Sequence, residues 1–151
     1  MTYSKLIFVS KENVTLSPMA EWIMKSILMD KSKQILSRGL VVLFPEPQNK
    51  KVTDLLVLHG IPCEEQVSEQ LSMEEMDEDT LILAMNFTEK VKILDDFPLG
   101  DWEDHVFTLQ EFAEEEEEPI DPYGEDEEGY EACYIQLKAL LYKVKKKLEW
   151  V

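Results

Sequence analysis

The residues able to do chemistry gather near one end of the chain, in Val9-Ser10-Lys11-Glu12-Asn13-Val14-Thr15-Leu16-Ser17-Pro18-Met19-Ala20-Glu21. Three hydroxyls (Ser10, Thr15, Ser17), the Asn13 amide and the Glu12 carboxylate follow an apolar run at residues 6–9 and lead into a helix start. The run fits a buried strand, Ser17 suits an N-cap, and Pro18 suits the first helical position. A loop from a strand to a helix N-terminus offers unpaired backbone N–H groups at the positive end of a dipole, which together suit an anion. A serine hydroxyl in such a loop stays protonated unless a neighbouring general base activates it. The only His residues, His59 and His105, belong to neither the loop nor a metal-ligand spacing, so no metal and no cofactor is expected.

The elements that must position this loop alternate strand and helix. Residues 5–9 read as a first strand. Met19, Ala20, Ile23, Met24, Ile27 and Leu28 then form one apolar helix face. A short β-rich run at 40–44 ends at Pro45, and a helix follows from about 48 to 59, with Val52, Leu55, Leu56 and Val57 inward and Gly60 ending it. Residues 81–85 make a buried strand, an amphipathic stretch carries Val91, Ile93 and Leu94, and 105–109 make another strand. Tyr130, Cys133, Leu137, Leu140, Leu141, Val144 and Leu148 line a long closing helix. This alternation predicts an α/β fold of three layers, with a four-stranded, mainly parallel sheet flanked by helices. Ligands of such sheets sit beyond the carboxyl ends of the strands, where the first loop lies.

The motifs resemble one family. Phe8 to Glu21 reads F-V-S-K-E-N-V-T-L-S-P-M-A-E, against F-V-C-x-G-N-x-x-R-S-P-M-A-E in the low-molecular-weight protein tyrosine phosphatases. Ser37-Arg38-Gly39, His59-Gly60-Ile61, Leu81-Ile82-Leu83-Ala84-Met85, Val106-Phe107-Thr108-Leu109 and Asp121-Pro122-Tyr123-Gly124 follow in the family's order. The last two look most like the bacterial branch that includes protein arginine phosphatases. By this resemblance Asp121 stands at the general acid, Tyr123 flanks the pocket, and Val14 stands where the arginine branch has a Thr. Glu12, Asn13, Val14, Thr15 and Ser17 fall on the ligand-binding loop.

The departures fall on the reaction. The resemblance puts Ser10 at the nucleophilic Cys, Glu12 at the loop Gly and Leu16 at the phosphate-gripping Arg. A loop thiolate works because its pKa drops from about 8.5 to roughly 3.5–7.5. Arg grips phosphate through a bidentate fork and stabilises the transition state, and Leu16 can do neither. Glu12 adds negative charge where a dianion would sit, and a side chain where Gly would be free if the backbone needs positive φ. Losing one preorganised donor typically costs roughly 10²–10³ in rate. The expectation is a catalytically impaired pseudophosphatase that acts by binding or regulation. The alternatives are residual phosphatase chemistry through Ser10 and Asp121, and a structural protein-interaction subunit.

Composition bounds the partners. At 151 residues and 44% hydrophobic, the chain reads as a single domain over 1–151. Fifteen basic against 32 acidic residues give a net charge of −17, which repels nucleic acid and anionic membranes and leaves a protein partner as the expectation. The charge is uneven. An acidic loop at about 111–131 holds twelve acids and no Lys or Arg, whereas five of the last fourteen residues are Lys. The Glu114 to Glu118 run reads as solvated and as a border to the mouth of the first loop. Cys63 and Cys133 read as buried free thiols of a cytoplasmic protein.

Overall fold

The loop that carries the candidate chemistry is held by a sheet whose strands are apolar on both faces. In the computed structural model, which describes residues 2–151, β1 (Lys5–Ser10), β2 (Gln34–Gly39), β3 (Thr80–Ala84) and β4 (Val106–Thr108) pair in the order β2-β1-β3-β4, all parallel. Alternate side chains of β1 serve opposite layers, as a two-residue period requires. Leu6 and Phe8 join Leu81 and Leu83 of β3 in the larger core. Ile7 and Val9 join Ile82, Ala84 and Val106 in the smaller one.

Helices complete the layers. α1 (Leu16–Ile27), α2 (Lys50–Leu58) and α5 (Glu127–Leu148) contribute to the larger core, along with Leu109 and Phe112 of the short α4 (Leu109–Phe112). α3 (Phe87–Asp96) covers the other face with Ile93, beside Leu71, Met76 and Leu99 from the connecting segments. The chain leaves β1 through α1 to β2 on one side, then returns past β1 to β3 on the other. That reversal creates a crevice at the carboxyl ends of β1 and β3, the usual ligand position in such sheets. The loops after Ser10 and after Ala84 meet there.

Several local expectations are corrected. The second strand is Gln34–Gly39, and residues 40–44 form a loop with Leu43 and Phe44 largely exposed. The strand ends because its chain is drawn onto the first loop: Leu40 N donates to Ser10 O at 3.1 Å and Val41 N to Lys11 O at 3.0 Å. At Gly39 a Cβ would stand 2.6 Å from Val42 Cγ2 and 3.1 Å from Asn13 Cβ, so only Gly permits the approach. The first helix starts at Leu16, not after Ser17; Thr15 takes the N-cap place without a side-chain cap bond, and Ser17 and Pro18 lie inside the first turn. The Pro18 nitrogen costs nothing there, because first-turn N–H groups lack intrahelical partners. Val57 faces solvent, as does Val91 at the edge of its helix. Cys133 is fully buried but Cys63 only half so, and both are free.

The caps outside the first loop follow ordinary chemistry. Asn49 caps α2, Asn86 caps α3 and Asp126 caps α5, each through its side-chain oxygen. Thr108 and Glu111 form a capping box on α4. Gly60, with φ of 77°, follows α2 in the left-handed turn that an L side chain resists. Among the described residues no helix is long and apolar enough to cross a membrane.

Candidate active-site loop

Ser10 closes β1 and is 8% exposed. Its Oγ lies 2.5 Å from Ser17 Oγ and accepts from Asn13 N at 3.2 Å. Asn13 Nδ2 donates to Ser17 Oγ at 2.9 Å, and Asn13 Oδ1 accepts from Glu69 N at 3.0 Å. Ser17 Oγ therefore accepts from Asn13 and shares one further hydrogen bond with Ser10, in which either hydroxyl can donate. That pattern fixes Ser10 Oγ between the Asn13 backbone N–H and the Ser17 hydroxyl. No carboxylate or imidazole hydrogen-bonds it among the described residues. His59 instead sits at the end of α2, stacked on Tyr134 with centroids 3.9 Å apart and 2.7 Å from Glu131 Oε2. His105 is buried, with Nδ1 3.1 Å from Thr80 O.

Asn13 also carries the loop's strained backbone, with φ of 59°. Asn tolerates that region better than most residues, and its short amide is what reaches both Ser17 and Glu69. Glu12 does not adopt positive φ, so a side chain at that position introduces no left-handed strain. Glu12 is exposed and, with Lys11, Val41, Val42, Leu43, Phe44, Glu46 and Ser68, lines a cavity of about 210 Å³ beside the loop.

The end of the loop is fixed from the opposite side. Asn49 N donates to Val14 O at 2.9 Å, and Asn49 Nδ2 to Thr15 Oγ1 at 3.3 Å and Tyr130 Oη at 2.9 Å. Val14 is half-buried and Thr15 buried. One Asn thus caps α2 and ties the loop to α5. Leu16 turns inward, 8% exposed, among the residues of the larger core. No guanidinium takes its place, since the chain's only Arg, Arg38, pairs with Glu75 at 2.8 Å and Glu69 at 3.4 Å.

Asp121 and Tyr123 sit on an exposed turn, where Asp121 Oδ1 accepts from Tyr123 N at 3.0 Å and Gly124 has φ of 83°. The acidic run before them is tied down. Glu118 Oε2 accepts from Phe87 N at 2.6 Å, Gln136 Nε2 donates to Glu118 O at 3.0 Å, and Glu115 pairs with Lys143. A carboxylate on the first amide of α3 is favoured by the helix dipole.

The residue that sequence reading missed is Glu89, in the first turn of α3. It is 8% exposed. Burial first, then the negative charges of Asp121 and Glu118, push its carboxyl up to about 7, against the Lys11 backbone N–H, which favours the ionised form. Its raised carboxyl makes Glu89 a candidate functional position. Its signal in sequence was only an acid near a helix start, indistinguishable from ordinary dipole compensation.

Residues 5–150 match the model of the low molecular weight phosphotyrosine protein phosphatases. The chain belongs to that family. It is 35% identical over 141 residues to the low molecular weight protein-tyrosine-phosphatase PtpB of Staphylococcus aureus, covering 93% of this chain and 96% of that one. A crystal structure of a YwlE mutant from Bacillus subtilis superposes with a TM-score of 0.86 at 30% identity, covering 96% of this chain and 98% of that one. A YwlE arginine phosphatase with a Cys-to-Ser change and a phosphorylated active-site serine gives 0.84 at 31%, covering 96% and 95%.

Proposed function

We propose that this family member is a pseudophosphatase: a catalytically impaired phosphatase-fold protein that binds a protein partner in the cytoplasm. Leu16 carries the reading. At the place of the family's phosphate-gripping Arg, an aliphatic side chain is packed into the core, and the only Arg is engaged elsewhere. Without that cation, neither the ground-state dianion nor the charge developing in transfer has its principal counter-charge. Ser10 adds a second loss, because no general base contacts its hydroxyl. The free thiols fit a reducing compartment.

Calorimetry with phosphate or vanadate tests the reading. The native chain is expected to bind neither, and a Ser10→Cys, Glu12→Gly, Leu16→Arg variant is expected to recover part of the binding. Hydrolysis of an aryl phosphate or of phosphoarginine by the native chain, abolished in Asp121→Ala, would overturn it.

A second reading draws on the YwlE mutant, in which an active-site serine carries a phosphoryl group. By analogy Ser10 Oγ would attack phosphorus, its proton passing to a phosphoryl oxygen, as the bond from phosphorus to the leaving atom breaks (oxygen in an aryl phosphate, guanidine nitrogen in phosphoarginine), with Asp121 protonating that atom. The hydrogen bonds of Ser17 and Asn13 that position the Ser10 hydroxyl favour this reading. Mass spectrometry after incubation with phosphoarginine peptide decides it, through a phosphoryl increment on Ser10 that is absent in Ser10→Ala.

A further inference from the structure

The outward face of α5 has nothing packed on it. Along it Glu128, Ala132, Ile135, Ala139, Tyr142 and Lys146 recur at alternating spacings of four and three residues, and all six are exposed. That spacing is the seam by which one helix packs along another. Ile135 is 61% and Tyr142 49% exposed, two large side chains interleaved with two alanines. From Glu128 to Lys146 the seam runs about 27 Å at a rise of about 1.5 Å per residue. Its ends differ in sign. Glu127 and Glu128 stand in the first turn of the helix, and Lys145, Lys146 and Lys147 in the last. Neither the Glu128 carboxylate nor the Lys146 ammonium has a hydrogen bond or an ion pair among the described residues. The acidic end borders a cavity of about 510 Å³ between α2 and α5, lined in part by Leu58, Tyr130, Glu128 and Glu131.

We propose that this face is a self-association surface, on which a second copy of the chain docks antiparallel about a two-fold axis at the level of Leu137. A two-fold contact is self-complementary, so each part of the seam must meet another part of the same seam. In this register Ala139 faces Ile135 of the second copy, Ala132 faces its Tyr142, and Glu128 faces its Lys146, each contact being made twice. Small meets large in the middle, and acid meets base at both ends. A parallel pairing would instead set Glu128 on Glu128 and Lys146 on Lys146. The cavity beside Glu128 has room for the aliphatic stem of the incoming lysine, and Leu58, 80% exposed, offers that stem apolar cover. One like-charged contact remains beside the axis, where Lys138 meets its copy; its ammonium lies over the ring of its own Tyr134, 5.6 Å from the centroid. Long-range repulsion between chains of net charge −17 opposes the contact. The dimer is therefore a weak one, forming at about 100 μM, as suits so narrow a seam. No residue of the first loop takes part, so the dimer is independent of the loop's chemistry.

Sedimentation velocity of the full chain, in about 0.15 M salt where repulsion is screened beyond about 8 Å, tests the proposal. Between about 10 μM and about 1 mM the mass is expected to rise from one chain to two and to stop there, because a two-fold contact closes on itself. Ile135→Asp changes an exposed position, so circular dichroism should show the native fold while the dimer is lost. Glu128→Lys and Lys146→Glu should each weaken association at least about fivefold, since each turns both end contacts into like-charged ones. An equimolar mixture of these two variants should associate as tightly as the native chain, because every end contact then joins unlike charges again. An effect of net charge alone would instead move the two single variants in opposite directions. A monomer throughout, growth past the dimer, a native dimer in folded Ile135→Asp, opposite shifts in the single charge variants, or a mixture no tighter than its components would each overturn the proposal.

Discussion

The floor of the loop and its mouth follow opposite rules. On the floor, Ser10, Asn13 and Ser17 satisfy one another within hydrogen-bond distance, and Asn49 secures the far end to Tyr130. At the mouth, the Glu89 carboxyl is buried under the influence of the negative charges of Asp121 and Glu118, and no cation pairs with it among the described residues. Satisfied polar groups stabilise the fold, whereas a buried charge without a counter-ion costs stability. The contrast teaches that the frame of a phosphate cradle and its reaction reside on different residues. Asn13 and Ser17 hold the frame; Ser10 and Leu16 are the positions on which the proposed loss of chemistry rests.

The largest expected effect breaks the floor. Asn13→Ala removes two side-chain bonds made at 2.9 and 3.0 Å and leaves an L side chain at φ of 59°. The cost should be about 3 kcal/mol, read as a lower midpoint in urea unfolding. A loss under about 1 kcal/mol would mean that the floor is not what holds the loop.

Next comes the mouth. The Glu89 carboxyl is raised from the ordinary 4.5 to about 7 in the folded chain. Between these values the unfolded chain has released the proton while the folded chain still holds it, so stability falls as pH rises through that window. The full difference is about 3 kcal/mol, an upper figure because the site borders solvent. Glu89→Gln should therefore raise stability by about 2 kcal/mol at about pH 8 and flatten the slope between about pH 4.5 and about pH 7. A variant less stable than the native chain at high pH would contradict the contrast.

Ser17→Ala sharpens the comparison on the floor, since it strips a hydrogen-bond partner from Ser10 and an acceptor from Asn13. About 1.5 kcal/mol should be lost in thermal unfolding. The smallest effect belongs to Glu12→Gly. With no left-handed strain at Glu12 to relieve, the change should cost about 0.5 kcal/mol, through the greater freedom of the unfolded chain. A clear stabilisation would reveal strain or repulsion at Glu12.

Much of this fold was legible because its signals are local and periodic. The runs around Leu6 to Val9 and Leu81 to Met85, and the apolar stripe of α5, identify their elements without help from distant residues. The misreadings arose where a distant partner overrode a local preference. Leu40 to Phe44 looks like a strand but is drawn into a loop by the carbonyls of Ser10 and Lys11. Ser17-Pro18 looks like a cap and first turn, yet Ser17 spends its hydroxyl on Ser10 and Asn13. The losses at Ser10 and Leu16 could be read from residue types against the family's motif. The raised carboxyl of Glu89 could not, because its burial and its neighbours Lys11, Glu118 and Asp121 come from distant parts of the chain.

The Asn13 and Asn49 ties also set how the loop moves. One joins it to Glu69 beyond the edge of β2, the other to the start of α2 and the middle of the core through Tyr130. A segment anchored at both ends to separate elements has no private opening motion. Its amides should exchange with deuterium only when the sheet itself comes apart, at the rate of the β1 amides and far slower than the exposed turn at Tyr123. A loop built this way is ordered in advance, so any association through it would lose little freedom on this side of the encounter.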